Sequence, residues 1–392
     1  MSSLMKFLVG GNGKTVTLFT FDAASKSINL VKTNSGFITP SWIESSVSSS
    51  LRGKVFYAVS EENGKVQSLE LKDDGTVVET GSAPTGGNPA HVHALKDGSG
   101  LIATNYMGGS AVFIPVDRST GVITATASTT QSLLSNVTTN VGSVSPVFEF
   151  QSHSPYAKSR GPNSERQEAS HPHQCTEGQN GELYVCDLGS DRIWQLERKG
   201  ENELQLVAQA DAISGAGPRH AALHSNGKYL YLITELIHKA FIYPVPFGKA
   251  ATSPLHSGGT LTAPADIPTE LYKEMTSGEI VLHPTNDRVL YISNRGQVDL
   301  NSKTGKNVKG DAIAVLTLNE QGDEFTNVEI VPTEINVIRG MQISADGKYL
   351  GVVGQKDGKV AVYQTGGQYG EKIELVASVD AGLDMPTDVT WF

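Results

Sequence analysis

Cysteine is nearly absent from the 392 residues: only Cys175 and Cys186 occur. Two cysteines cannot build the disulfide framework of a small secreted domain, and without companion ligands they do not make a zinc site. They are centred on Asn180-Gly181, so a symmetric hairpin there would place them opposite one another. That leaves a cross-strand disulfide or two buried thiols, and a reducing compartment favours the thiols. Long hydrophobic runs are missing too. Nothing approaches the ~20 apolar residues that span a bilayer. The opening MSSLMKFLVGGNG lacks the basic and apolar regions of a secretory signal. A cytoplasmic protein is therefore expected.

Basic residues are in deficit, 31 against 41 acids, for a net charge of −10. Nonspecific binding of nucleic acid or an anionic membrane is disfavoured, whereas a small anion can still be held by a local group of arginines. The chain also lacks a Walker glycine loop, a dinucleotide fingerprint after a strand, a Gly-x-Ser-x-Gly elbow and WD-type signatures. His171-Pro172-His173 puts two histidines on one face of an extended strand without a third ligand, so no metal is expected. No other cofactor is expected either.

What the chain does have is a sentence written seven times: a β-rich run, a glycine-containing turn and a second β-rich run. The copies begin at Phe7, Phe56, Leu101, Leu183, Leu230, Leu290 and Leu350, at intervals of 49, 45, 82, 47, 60 and 60 residues. About 40–50 residues is the size of one four-stranded propeller blade. Further β-rich runs, ending in Asn-Gly or Asp-Gly hairpin turns, precede several copies. An all-β, seven-bladed β-propeller is predicted, with residues 1–392 forming a single domain. The first copy has no inner strand ahead of it, while KIELVASVD and VTWF follow the last. C-terminal strands should therefore complete the blade that the N-terminus begins and close the ring. The 82-residue interval carries a long insertion, 117–170, that reads equally as a lid or a surface excursion. A formal glycosylation sequon within it, at Asn136, has no signal peptide to give it meaning.

In each blade the start of the inner strand and the end of the next strand meet at one edge, so all copies converge on one mouth of the channel. Inner strands begin Ser41-Trp42, Ala90-His91, Pro172-His173, Arg219-His220, Gly278-Glu279 and Arg339-Gly340. Second strands close with Gly11-Asn12, Ser60-Glu61, Asn105-Tyr106, Asp187-Leu188, Thr234-Glu235, Asn294-Arg295 and Gly354-Gln355. Histidines, arginines and acids gather there although charged residues are only 18% of the chain. A single histidine can merely satisfy a local hydrogen bond, and Arg219, Arg295 and Arg339 can pair structurally with Glu235, Glu61 or Asp187. Converging guanidinium groups nevertheless suit a carboxylate or phosphate. Glu235 between arginines would be ionised, and could act as a base or orient His173. Two registers are open, one aligning His173 with Arg219 and the other with His220. A slip of one residue turns a side chain to the opposite face.

The motifs NPAHVHAL with IATNY, SHPHQ, GAGPRHAALHSNGKYLYLITEL, LYISNR and RGMQISADGKYL resemble those of the seven-bladed β-propeller lactonases. That family includes bacterial propeller-type 6-phosphogluconolactonases and the fungal 3-carboxy-cis,cis-muconate lactonizing enzyme. The resemblance spans essentially the whole chain, and the ERQEASHPHQ lead-in looks like fungal members. It implies His173, Arg219, Glu235 and Arg295 as catalytic residues, the same four that the mouth pattern singles out. His91, His171, Asn105 and Arg339 are expected to contact substrate. The insertion is a departure that puts the substrate in doubt.

Three functions follow. In the first, a lactone of a small anionic sugar acid is hydrolysed: Arg219 and Arg295 hold the anion and the developing oxyanion, and His173 activates water. In the second, a cycloisomerase adds a substrate carboxylate across a conjugated double bond. In the third, the propeller is a non-catalytic binder. The expected partner is a small molecule, with neither nucleic acid nor membrane, and a monomer or weak homo-oligomer suffices.

Overall fold

The computed structural model describes residues 4–124, 146–200 and 202–392. They form seven four-stranded antiparallel sheets, whose innermost strands contact one another in succession around a ring. Blade 1 joins the two ends of the chain, with Pro386–Trp391 innermost and Met5–Gly11, Thr15–Asp22 and Ser27–Ser35 following outward. The inner strands of blades 2 to 7 are Ile43–Ser45, Pro89–Ala94, Pro172–Glu177, Pro218–Leu223, Thr276–Leu282 and Ile338–Ile343. Lys372–Asp380, read above as part of the closure, is instead the outer strand of blade 7.

The second strand of a blade is covered on both faces by its neighbours, which is why the repeats read as unbroken apolar runs. Val55–Ser60, Gly100–Asn105 and Leu183–Asp187 are buried along their whole length. The large apolar clusters lie between blades, one at each of the seven interfaces. Each interface thus buries side chains that no blade could cover alone. Closure is tight: the Trp391 backbone N–H donates to Gln342 Oε1 (2.6 Å) and its indole N–H to the Gln342 carbonyl (3.0 Å). Its ring lies 4.7 Å from that of Phe7. Turn chemistry follows the sequence: Gly347 of the Asp-Gly turn has φ +74°, and a Cβ there would sit 2.4 Å from the His283 ring.

Two expectations change. The Cys175 hairpin pairs Glu177 with Leu183, so its loop has an odd number of residues, and Cys175 faces Val185 while Cys186 faces Gln174. The cysteines miss each other by one register step and are free and buried. The 117–170 segment is not simply a loop: Phe148–Glu149 returns as the fourth strand of blade 3. Residues 151–170 then fold back onto the mouth. Asn136 lies outside the described residues.

Candidate active site at the channel mouth

Six of the seven inner strands carry a one-residue bulge at the mouth, placing Ala90, His173, Arg219, Gly278, Arg339 and Thr387 at equivalent positions. His173 therefore aligns with Arg219. A bulge re-aims side chains that a regular strand would send to opposite faces. Both Arg219 and the next residue, His220, consequently reach across to blade 6: Arg219 Nε donates to the Gly278 carbonyl (2.8 Å) and His220 Nδ1 meets Glu279 Oε1 at 2.6 Å. One step deeper, register assigns one residue per blade to a channel layer: Trp42, His91, Gln174, His220, Glu279, Gly340 and Asp388.

The rim is set by the residue after each second strand. Backbone N–H groups of Glu61, Tyr106, Leu188, Glu235 and Gln355 donate to the residues preceding the inner strands: Thr39, Asn88, His171, Gly217 and Val337. Thr39 and Val337 hold left-handed φ values of +44° and +60°, costly for β-branched residues. That conformation turns their carbonyls towards the rim.

Glu235, 2% exposed, collects three guanidinium groups. Arg219 Nη1 lies 2.5 Å and Arg295 Nη2 3.2 Å from its Oε2, and Arg166 Nη2 lies 2.6 Å from its Oε1. Burial opposes ionisation, but Arg219, Arg295 and Arg166 together hold the carboxyl far below the usual range. Glu235 is thus a fixed anion that orients arginines, too weak a base to take a proton at neutral pH. Arg295 is further tied to the Ser277 carbonyl (2.7 Å), while its buried Nε has no partner among the described residues. Arg339 has no ion pair or hydrogen bond among the described residues; burial, then Arg219, presses its guanidinium downward, with Glu61 opposing. Four arginines against Glu235 and Glu61 make the mouth locally positive in a chain of charge −10.

His173, 5% exposed, makes no hydrogen bond or ion pair with Glu235 among the described residues. Its Nδ1 lies 2.9 Å from His220 Nε2, and His220 in turn meets Glu279. Burial, then Arg219 and His220, holds the His173 imidazole neutral, well below its ordinary value. His220 is likewise held down by burial and then Arg219. Burial pushes Glu279 up to about 8. Nε2 of His173 has no hydrogen-bond partner among the described residues, which leaves it available to a ligand.

The other expected contacts divide. His91 is buried beside Trp42, with ring centroids 4.4 Å apart, and its Nδ1 has no partner among the described residues. His171 is corrected to a tether: Nδ1 meets the Tyr106 carbonyl and Nε2 meets Glu168, each at 2.9 Å, so both ring nitrogens are engaged. Asn105 is corrected as well. As the last residue of its strand it is one short of the rim, and its amide donates to the Thr85 carbonyl (2.7 Å) and Ser110 Oγ (3.0 Å). Tyr106, the next residue, faces the mouth instead, edge-on to His173 at 5.5 Å. Arg166 was missed altogether. Its only trace in the sequence is a lone arginine in the ERQEAS lead-in, and its position depends on Gln167, whose Nε2 donates to the Leu188 carbonyl (2.9 Å). Among the described residues no group of three or more His, Cys, Asp or Glu could hold a metal ion.

Cationic side chains and a histidine held neutral thus share one mouth of the channel. The chain belongs to the lactonase, seven-bladed β-propeller family, whose model matches residues 2–391. It is 25% identical over 391 residues to a 6-phosphogluconolactonase of Formosa agariphila, covering 96% of each chain. It is 25% identical over 304 residues to a 6-phosphogluconolactonase of Serratia proteamaculans, covering 76% of this chain and 74% of that one. Among solved structures, the periplasmic gluconolactonase of Pseudomonas aeruginosa superposes with a TM-score of 0.78 at 20% identity, over 99% of both chains. A Lactobacillus plantarum protein matches with a TM-score of 0.78 at 19% identity, over 100% of both. These two likenesses speak for the fold. No helix among the described residues is long and apolar enough to cross a membrane.

Proposed function

We propose that this protein hydrolyses the ring ester of a small, anionic sugar lactone at the His173 mouth of the channel. The observation that carries the reading is the buried His173, its Nδ1 held by His220 and its Nε2 without a hydrogen-bond partner among the described residues, beside Arg219 and Arg295 in a member of the lactonase family. Arg295 and Arg339, the latter without an ion pair among the described residues, receive the substrate's anionic group. Arg219, aligned by Glu235 and the Gly278 carbonyl, faces the carbonyl oxygen as negative charge develops. His173 takes the proton of the attacking water, the new C–O bond forms, and the ring C–O bond breaks. The proton returns to the departing ring oxygen, leaving a hydroxy acid that ionises.

A lactone-forming cycloisomerase needs an acid placed to protonate carbon. Glu235 is held ionised and His173 neutral, and the relatives above carry hydrolase names. Hydrolysis is therefore the reading preferred. The test is acid release, followed in a pH-stat, from D-glucono-1,5-lactone and its 6-phosphate, with loss of carboxymuconate absorbance measured in parallel. Acid release above the spontaneous rate supports the proposal. Turnover of carboxymuconate alone, or of nothing, overturns it.

A further inference from the structure

The base proposed above faces a difficulty. An imidazolium at His173 would lie among Arg219, Arg339 and Arg295, with neutral His220 behind it and Tyr106 at its edge. Like charges at such range strongly disfavour the protonated ring, so a proton accepted there cannot rest there. The geometry shows where it goes. His173, His220 and Glu279 come from the inner strands of three consecutive blades and are joined by hydrogen bonds of 2.9 and 2.6 Å. The bulges at His173 and Arg219 bring the two imidazoles into line.

We infer that Glu279, acting through His220, is the proton store of the site, so that the chain from His173 to Glu279 works as a relay. This rests on the lactonase reading of the mouth. In its ionised form, populated as pH passes about 8, Glu279 can only accept, so His220 carries hydrogen on Nδ1, its Nε2 accepts from His173 Nδ1, and His173 Nε2 keeps its lone pair. When His173 Nε2 takes a proton from water, the Nδ1 hydrogen of His173 passes to His220 Nε2. The Nδ1 hydrogen of His220 then passes to Glu279 Oε1. The end state has two neutral imidazoles in reversed tautomers and a neutral carboxylic acid, with no new cation among the arginines. The shift runs backward to protonate the departing ring oxygen.

Glu279 suits the task. It is 3% exposed and has no arginine bonded to it, while its Oε1 also accepts the Ile280 N–H (2.9 Å) and its Oε2 has no partner among the described residues. The charged and titratable groups facing it are Arg219, Arg295 and His220, together with Asp388 across the channel. Those facing His220 are Arg219, Arg295, Glu235, Arg339 and His91. Glu235, clamped by three arginines, cannot serve as the store.

The test joins kinetics to a readout independent of turnover. On D-glucono-1,5-lactone 6-phosphate, Glu279→Gln should lower kcat about 100-fold with KM changed less than about 3-fold, and should lose the rising limb of the pH profile near about pH 8. Glu279→Asp, which keeps an ionisable group, should restore that limb. In parallel, histidine 15N chemical shifts from about pH 6 to about pH 10 should show both rings exchanging tautomers together in the wild type and remaining fixed in Glu279→Gln. If that variant does not fold, His220→Gln breaks the same chain. An active wild type whose Glu279→Gln variant keeps its kcat, or whose tautomers do not move, overturns the relay. A tautomer switch in a protein that hydrolyses no lactone upholds the relay and overturns the lactonase reading.

Discussion

His220 Nε2 lies 2.9 Å from Nδ1 of His173, one blade away. The pairing exists because an extra residue in the inner strands of His173 and His220 aims both imidazoles into the channel. It assigns orientation of His173 to His220 and frees Glu235 for a different task, holding arginines.

Glu235→Gln tests that task. Removing the anion leaves Arg219 and Arg295 buried without their counter-ion. Breaking a buried pair in this way costs about 3–5 kcal/mol. Denaturant unfolding should show a loss of that order. A loss below about 1 kcal/mol would place the arginines in contact with solvent and contradict the buried cluster.

Arg166 tests the insertion. Its side chain is 38% exposed, and it bridges Glu235 and the Tyr106 hydroxyl from outside the ring. Being partly exposed, the pair adds about 1 kcal/mol of stability or less. Arg166→Ala should therefore leave Tm nearly unchanged. As a rim cation it should matter more to binding, with KM for an anionic lactone rising about 3–10-fold at a similar kcat. An unchanged KM would make the folded-back segment a surface ornament.

Stability should fall with rising pH because of Glu279. Burial raises its folded value from 4.5 to about 8. An acid raised on folding is favoured in its protonated form, so the cost of ionising it accrues above 4.5 and is complete above about 8. Asp388, raised by burial to about 7, has the same sign. Near neutral pH each such group costs about 1.4 kcal/mol per pH unit. Between about pH 6.5 and about pH 8, wild type should lose more stability than Glu279→Gln. Parallel curves would show that Glu279 is not raised.

Ring closure rests on Trp391, which is 9% exposed and packed on Phe7. Trp391→Ala removes that ring contact and the indole bond to Gln342. It should cost about 3–5 kcal/mol, read as a shift in the urea midpoint. A shift under about 1 kcal/mol would show that closure does not depend on this strand.

The ring was legible because the second strand of every blade needs apolar residues on both faces, a pattern that repeats visibly from FYAVS to LGVVG. His173, Arg219, Glu235, Arg295 and Arg339 stood out because strand ends of all copies converge on one edge. Register at the mouth was less legible: a bulge adds a residue without leaving a periodic signature, so the inward turn of His220 and Glu279 was not predictable. Asn105 is one residue short of the rim because it still pairs with Pro89 inside the sheet, as Thr234 pairs with Pro218. Arg166 was invisible because its place depends on how an irregular segment folds onto Leu188, which no repeat specifies.

The central claim, hydrolysis at this mouth with His173 taking the proton, is tested most directly by comparing wild type with His173→Gln. The measurement is acid release from D-glucono-1,5-lactone 6-phosphate by protein whose fold is verified by circular dichroism. Wild type should exceed the spontaneous rate, and His173→Gln should lose about 100–10,000-fold in kcat while still binding 6-phosphogluconate. Full activity in His173→Gln, or no acid release by wild type, would contradict it.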